Sequence, residues 1–198
     1  MKLFNQGIKS GNTKLHKSCG IFNTTCHRNC SYCYMKKMSW PSTVQGWQNN
    51  KELTKRSDFI DNTAKVINRR KYKYFRVHAM GEFDTVEYLL SWYAIAKNCP
   101  DTKFYAYSKE YDIVSFCAEH KPDNFTMIYS VEEVDDISID LNDVKKLDFD
   151  SIARISTNSE AYKNKYVCQA SKYKGNDYCM NKCTRCANRG ETIILPLH

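Results

Sequence analysis

The sequence lacks several features that mark membrane-spanning or non-globular proteins. Only 7 glycines and 4 prolines occur in 198 residues, which excludes collagen-like, linker-dominated and disordered chains. No apolar run approaches the roughly 20 residues that a membrane-spanning helix needs. The first residues, MKLFNQGI, are too few and too polar to form the apolar core of a signal peptide. We therefore expect a single domain over residues 1–198, cytoplasmic and without a membrane partner.

Cysteine, by contrast, is abundant, with 10 in the chain. A reducing cytoplasm does not maintain disulfides, so clustered cysteines are expected to hold metal. Eight of them form two groups, which are Cys19, Cys26, Cys30 and Cys33, then Cys168, Cys179, Cys183 and Cys186. Cys99 and Cys117 have no partner pattern, and we interpret them as small buried residues.

The formal net charge of +8 is the feature that favours a nucleic-acid partner. A 4Fe-4S core of about +2 held by four thiolates contributes roughly −2. Two such sites would lower the charge to about +4. The basic residues are also scattered, with short runs only at residues 36–37 and 69–71. A zinc-stapled nucleic-acid binder is therefore an alternative that we do not favour.

Strand-like and helix-like periodicities alternate along the chain. Strands are predicted over residues 18–22, 74–80, 103–107, 125–129, 152–156 and 192–195, and helices over 58–68, 85–98 and 109–119. This alternation predicts an α/β fold of parallel βα units, in which sites gather at the carboxyl ends of strands. We expect a partial or open βα barrel rather than a doubly wound sheet. Its parts are a cysteine loop (19–34), a βα core (57–157) and a cysteine-rich C-terminal metal segment (166–198).

The first cysteine group contains the spacing C-x3-C-x2-C at Cys26, Cys30 and Cys33. Three thiolates on one short loop can reach three irons of a 4Fe-4S cluster and leave the fourth iron open. The spacing is similar to the signature of radical S-adenosylmethionine proteins, in which the open iron binds that cofactor. Cys19 either supplies a fourth thiolate, which would close the cluster, or is a buried residue of the first strand.

The second group repeats the spacing at Cys179, Cys183 and Cys186, with Cys168 upstream. Four cysteines make a complete site, and the turn-rich stretch after Cys168 would let the chain wrap a metal. A second 4Fe-4S cluster is the interpretation that we favour because the spacing is repeated. A structural zinc ion held by the same four cysteines remains the alternative.

Together these residues resemble the phage gene product 88 family, an iron–sulfur family related to the radical S-adenosylmethionine superfamily. Three blocks carry the resemblance, over residues 17–34, 75–109 and 168–198; they include Cys30-Ser-Tyr-Cys33-Tyr34 and His78-Ala-Met-Gly81-Glu82-Phe83. The resemblance implies a viral or mobile-element protein in a host cytoplasm, with cysteine-bound iron–sulfur, and it favours Cys19 as the fourth ligand of the first cluster. We also expect an electron donor as partner. It leaves the substrate open.

The wider superfamily also implies a cofactor site. Gly81 and Glu82 match the Gly-Gly-Glu-like turn that holds the amino group of S-adenosylmethionine, with one glycine lost. Glu160 keeps the glutamate of a later motif near the adenine, whose two glycines are replaced here. Ser130 and Glu132, after the third strand of the core, are placed where they would bind ribose hydroxyls.

Two further residues near this turn have two interpretations each. His78 and Asp84 flank it and would suit proton transfer or metal binding. Alternatively, His78 is a core histidine with satisfied hydrogen bonds, and Asp84 caps the following helix. We expect Tyr32, inside the cysteine loop, to provide apolar shielding of the cluster.

Overall fold

The computed structural model describes residues 18–33, 40–158, 166–171 and 178–197. Its strands are β1 (Cys19–Phe22), β2 (Tyr74–Val77), β3 (Lys103–Ser108), β4 (Phe125–Val134), β5 (Ser151–Ser156), β6 (Tyr166–Val167) and β7 (Thr192–Pro196). Its α-helices are α1 (Pro41–Thr54), α2 (Phe59–Arg70), α3 (Val86–Lys97), α4 (Tyr111–Phe116) and α5 (Leu141–Lys146). Every strand and helix that the sequence predicted is present, with ends shifted by a few residues. Helices α1 and α5 and the short β6 were not predicted.

The strands form one parallel sheet of seven strands in the order β1-β2-β3-β4-β5-β7-β6. The predicted α/β fold built of parallel βα units is therefore confirmed. In the described part of the chain, β1 and β6 are the two edge strands, so the sheet is open. None of the helices there is long and apolar enough to cross a membrane.

Helices α2, α3, α4 and α5 cover one face of the sheet. Phe75, Phe104 and Phe125 stand in register on β2, β3 and β4 and pack in the same buried cluster as Trp92 of α3. Their rings and that of Trp92 interlock, with Phe75 and Trp92 centroids 5.6 Å apart. Burial of these aromatic side chains is the main stabilising contribution to this side of the sheet.

The C-terminal segment covers the other face. Tyr105 and Ile128 of the central strands pack there against Met180 and Ala187 of that segment. In the described part of the chain, helices α2 to α5 lie on one face of the sheet, and strands β1 to β5 follow one another in consecutive order. A doubly wound sheet would carry helices on both faces.

Candidate functional site

The turns after β1 and β2 are tied together at the carboxyl edge of the sheet. Asn23 follows β1, and its side-chain oxygen accepts hydrogen bonds from the backbone N–H groups of Ala79 (2.8 Å) and Met80 (3.0 Å). The N–H of Thr24 donates to the carbonyl of Met80 at 3.0 Å. The chain leading into the first cysteine loop is therefore held against the turn that contains Gly81 and Glu82.

Gly81 occupies a position that only glycine fits. Its φ is +130°, a backbone conformation that side chains disfavour. A Cβ there would lie 2.5 Å from Thr24 Oγ1 and 2.8 Å from the ring of His78. The glycine thus lets the two turns approach closely.

Gly81→Ala is expected to lower the free energy of unfolding by at least about 2 kcal/mol, because it adds a clash to backbone strain. Gly190→Ala is the matched control, since Gly190 also has a positive φ (+79°) but has nothing within 4 Å of an added Cβ. Urea denaturation of both variants measures the difference. Equal losses in the two variants would contradict a close approach at Gly81.

His78 is a buried, neutral residue. Its Nε2 lies 2.8 Å from the hydroxyl of Tyr88, and its Nδ1 has no hydrogen-bond partner. Burial, assisted by the positive charge of Lys51, lowers the pKa of His78 to about 3. His78 is therefore a core histidine, as one of the two interpretations expected. Only one of its two ring nitrogens is hydrogen-bonded, so its hydrogen bonds are not all satisfied.

This burial makes stability depend on pH. An unfolded histidine takes up a proton near pH 6.5, so below that pH the unfolded state binds more protons than the folded one. The contribution of His78 to the free energy of unfolding then falls by about 1.4 kcal/mol per pH unit, down to the folded pKa of about 3. His78→Asn, which tolerates the positive φ of 67°, should remove this part of the slope. Urea titrations between pH 6.5 and 4.5 measure it; an identical slope in both proteins would contradict the assignment.

Glu82 presents a buried carboxylate to the same edge, with 5% of its surface exposed. Its Oε1 accepts hydrogen bonds from the N–H of Phe83 (2.8 Å) and the hydroxyl of Ser108 (2.7 Å). Its Oε2 accepts one from the N–H of Lys109 at 3.0 Å. Burial raises the pKa of Glu82 to about 7, against the opposing effect of these hydrogen bonds.

The first cysteine loop is fastened to this edge by charged and polar side chains. Arg28 pairs with Glu110 (2.9 Å) after β3 and with Glu132 (2.7 Å) on β4. The hydroxyl of Tyr32 donates to the carbonyl of Val131 at 2.9 Å. Tyr32 is therefore a hydrogen-bonding anchor of the loop rather than the apolar shield that we expected.

Lys109 is the buried cation of the site, with 7% of its surface exposed. Its Nζ donates to the carbonyls of Ser130 (2.8 Å) and Val131 (2.6 Å) and to the hydroxyl of Tyr32. Burial lowers the pKa of Lys109, while nearby groups that include Cys30 oppose the shift.

The three cysteines of the loop lie together beside Glu82. Burial raises the pKa of Cys26, and the nearby negative charges of Glu82, Cys30 and Cys33 raise it further. The N–H of Cys33 donates to the carbonyl of Cys30 at 3.2 Å, so these two residues share one tight turn. Cys26 thus lies near enough to Glu82, Cys30 and Cys33 for their charges to interact.

Cys19 lies elsewhere. It is the first residue of β1, and about three strand steps, or about 10 Å, separate it from the end of that strand. It is buried on the face that the C-terminal segment covers, where burial raises the pKa of its thiol to about 12. The structure therefore places our expected fourth ligand of the first group away from that group.

The C-terminal cysteines come together on this same face. Cys179 and Cys183 are paired by a backbone bridge across a tight turn, in which the N–H of Met180 donates to the carbonyl of Cys183 at 2.7 Å. The hydroxyl of Tyr107 on β3 donates to the Cys186 sulfur at 2.9 Å. Cys168 follows β6, and its N–H bonds to the carbonyl of Ile194 at 2.7 Å.

The side chains of the two cysteine groups are thiols, which are suited to bind metal. All ten cysteines are described, and none is disulfide-bonded. Within the described ranges, no three Cys, His, Asp or Glu side chains are close enough to hold a single ion. Thiolates of a 4Fe-4S cluster bind different irons and so lie farther apart than the ligands of one ion, which for zinc lie within about 2.3 Å of it. The residue types fit cluster ligation.

Comparison with known proteins decides the family. The family model described as Gene product 88 matches residues 5–193. The chain belongs to the gene product 88 family. The Gene 88 protein of Mycobacterium phage L5 is 27% identical over 81 residues, 40% of this chain and 34% of that protein. The match thus spans about a third of that relative, and no solved structure matches the chain. The predicted phage family is confirmed.

The remaining site predictions have mixed outcomes. Ser130 lies on β4, and its carbonyl accepts a hydrogen bond from Nζ of Lys109 (2.8 Å), whose N–H donates to Glu82 (3.0 Å). Glu160 falls outside the described residues. Asp84 does not cap α3; Thr85 does, accepting a hydrogen bond from the N–H of Tyr88 at 3.1 Å. Asp84 instead pairs with Lys51 of α1.

The sequence analysis missed Arg28 and Lys109. Lys109 follows a strongly apolar strand directly, and a charged residue at that position is a usable signal for a group on the carboxyl edge. Arg28 stands among the cysteines predicted to bind metal, where a cation would compensate thiolate charge. Neither signal identifies the partners Glu110, Glu132 and Tyr32.

Proposed function

We propose that this gene product 88 protein binds a 4Fe-4S cluster through Cys26, Cys30 and Cys33 and leaves one iron open for S-adenosylmethionine. One observation carries the proposal. Three thiols of one loop and the buried carboxylate of Glu82 lie near the carboxyl edge of a parallel sheet, close enough for Glu82 to act on Cys26, and this edge is the usual position of sites in βα folds. The one-sided helices and consecutive strands support a core resembling that of radical S-adenosylmethionine proteins.

The placement of the other cysteines supports an open iron. Cys99 and Cys117 are buried within the helix-covered core. The remaining five thiols belong to the opposite face or to the C-terminal segment. The first loop therefore contributes three ligands, which leaves the fourth iron of a cubane to bind an external molecule.

Glu82 is suited to hold the ammonium group of S-adenosylmethionine. A carboxylate offers about four acceptor positions, and the structure uses three of them, from Phe83, Ser108 and Lys109. Because those donors fix the carboxylate, a cationic ligand would meet an acceptor that is already oriented. We propose that Gly81 admits the backbone approach next to it and that Ser130 lies toward the ribose.

Arg28 and Lys109 would compensate the charge of the cluster. A 4Fe-4S core held by three thiolates carries about −1. Arg28 is fixed on the loop by Glu110 and Glu132, and Lys109 reaches the loop through Tyr32. These contacts hold the loop in place independently of metal, so the chain presents a preorganised ligand set.

When bound and reduced by an external donor, such a cluster supplies the electron that splits S-adenosylmethionine into methionine and a 5′-deoxyadenosyl radical. The protein's own groups would orient the cofactor. At the opposite face, we propose that the C-terminal cysteines hold a second centre with a structural role. A second 4Fe-4S cluster is favoured there over zinc because the cysteine spacing is repeated.

The test is metal and spectral analysis of protein purified without oxygen. We expect about eight irons and eight sulfides per chain, as in two 4Fe-4S clusters. The paramagnetic resonance spectrum of the reduced protein should change when S-adenosylmethionine is added. Two clusters with an unchanged spectrum would instead support fully ligated clusters, and hence an electron-transfer, redox-sensing or structural protein. Colourless protein containing only zinc would contradict the iron–sulfur proposal.

A further inference from the structure

We propose that Cys19 is a metal ligand of the C-terminal centre. It forms this centre together with Cys168, Cys179 and Cys186 of the C-terminal segment. The inference rests on the proposed function in one respect, namely that these cysteines bind metal. It assigns Cys19 to a different centre from the one that its position in the sequence suggests.

The strand register brings Cys19 to the face that the C-terminal segment covers. Side chains alternate along a strand, so Cys19 and Ile21 share one face of β1, while Phe22 packs on the helix-covered face. Ile21 is in register with Arg76 on β2, and Arg76 with Tyr105 on β3. Tyr105 and Cys19 belong to one buried cluster that also contains Met180 and Ala187.

The thiols themselves are neighbours. Cys168 and Cys186 pack against the buried cluster that includes Cys19. Cys186 lies close enough to Cys19 for their charges to interact, and Cys19 also acts on Cys179. A thiol from the first strand and thiols from the last part of the chain therefore surround one region of the sheet.

Arg76 gives this region the charge that bound thiolates require. Its guanidinium lies over the ring of Tyr107, 4.9 Å from the centroid, and donates to the carbonyl of His78 at 2.9 Å. Its positive charge acts on Cys19, Cys179 and Cys186 alike. A cluster with four thiolates carries about −2, and buried negative charge is tolerated where a cation lies beside it.

The hydroxyl of Tyr107 adds a further contact typical of metal centres. It donates to the Cys186 sulfur at 2.9 Å, and hydrogen bonds from neighbouring groups commonly orient metal ligands. Tyr105 and Tyr107, both on β3, lie on the face of the sheet that also carries Cys19 and Cys186. The centre would thus rest on one face of strands β1 and β3, with the C-terminal segment closing over it.

The experiment isolates the C-terminal centre first. In a background with Cys26, Cys30 and Cys33 all replaced by alanine, any remaining metal belongs to that centre. Cys19→Ala in this background should lower the iron, or the zinc, per chain by about tenfold. Cys99→Ala is the matched control, because Cys99 is also buried but lies in the helix-covered core. It should leave the metal content unchanged.

A conservative variant guards against loss of the fold. Cys19→Ser keeps a small side chain with a weaker ligand, so it should shift the visible spectrum of the centre while the far-ultraviolet circular dichroism stays unchanged. Unchanged metal in Cys19→Ala, or an unchanged spectrum in Cys19→Ser, would overturn the assignment. A background protein that contains no metal would instead contradict the proposed second centre itself.

Discussion

Cys30→Ala is expected to empty the first cysteine loop, so that iron falls from about eight to about four per chain. A cluster held by three thiolates has no spare ligand, and the other cysteines lie too far from the loop to replace one. The same variant should lose every spectral response to S-adenosylmethionine. Iron and sulfide analysis with paramagnetic resonance of the reduced protein measures both effects.

Cys117→Ala provides the matched control for this variant. Cys117 is fully buried at the end of α4 and packs in the helix-covered core. Its replacement removes a thiol from the chain without touching either cysteine group, so iron and the response to S-adenosylmethionine should be kept. Full iron content in Cys30→Ala would show that the loop does not hold a cluster.

Most of the fold could be predicted because its strands and helices have strong periodicity. The apolar run at Tyr74–Val77 and the helical stripe of Val86–Lys97, limited by Thr85 and Pro100, define their elements locally. Helix α1 was missed for a physical reason. Among its 14 residues, the buried ones are Gly46, Trp47, Asn50 and Leu53, so the sequence shows no clear apolar stripe.

The candidate site was predictable in its residue types but not in its grouping. Spacing identifies Cys26, Cys30 and Cys33 as one set, and a position after β2 identifies Glu82. Spacing also assigns Cys19 to that set, because it lies only seven positions before Cys26. Only the strand pairing shows that Cys19 lies at the start of β1, at the opposite end of that strand from the cysteine loop. It also shows that Cys19 faces the side of the sheet that the C-terminal segment covers.

The anchoring of the loop likewise depends on contacts between distant residues. Arg28 meets Glu132 on β4, and Tyr32 meets the carbonyl of Val131 on the same strand. These contacts form only once β3 and β4 are paired, so no local pattern around the cysteines reports them. Sequence reasoning identifies ligands more readily than the groups that hold them.

The two centres are expected to contribute unequally to stability, and Cys179→Ala tests the larger contribution. Within the C-terminal segment, residues 178–190 contain one turn of 3-10 helix and no α-helix. It covers the sheet mainly through Met180, Ala187 and its cysteines. We propose that such a segment gains its order from bound metal, since site formation is coupled to folding. In Cys179→Ala, a loss of about 4 kcal/mol in the free energy of unfolding should lower the melting temperature by about 8–16 °C.

Amide hydrogen exchange shows where that loss falls. The N–H groups of Met180 and Ala187, bonded at 2.7 and 2.9 Å within the segment, should lose protection in Cys179→Ala, whereas those of α3 should keep it. Cys30→Ala is the comparison, because Arg28, Tyr32 and Lys109 hold the first loop without metal. Its melting temperature should fall by less than half as much. Equal destabilisation by the two variants would contradict the division into a preorganised cofactor loop and a metal-dependent C-terminal segment.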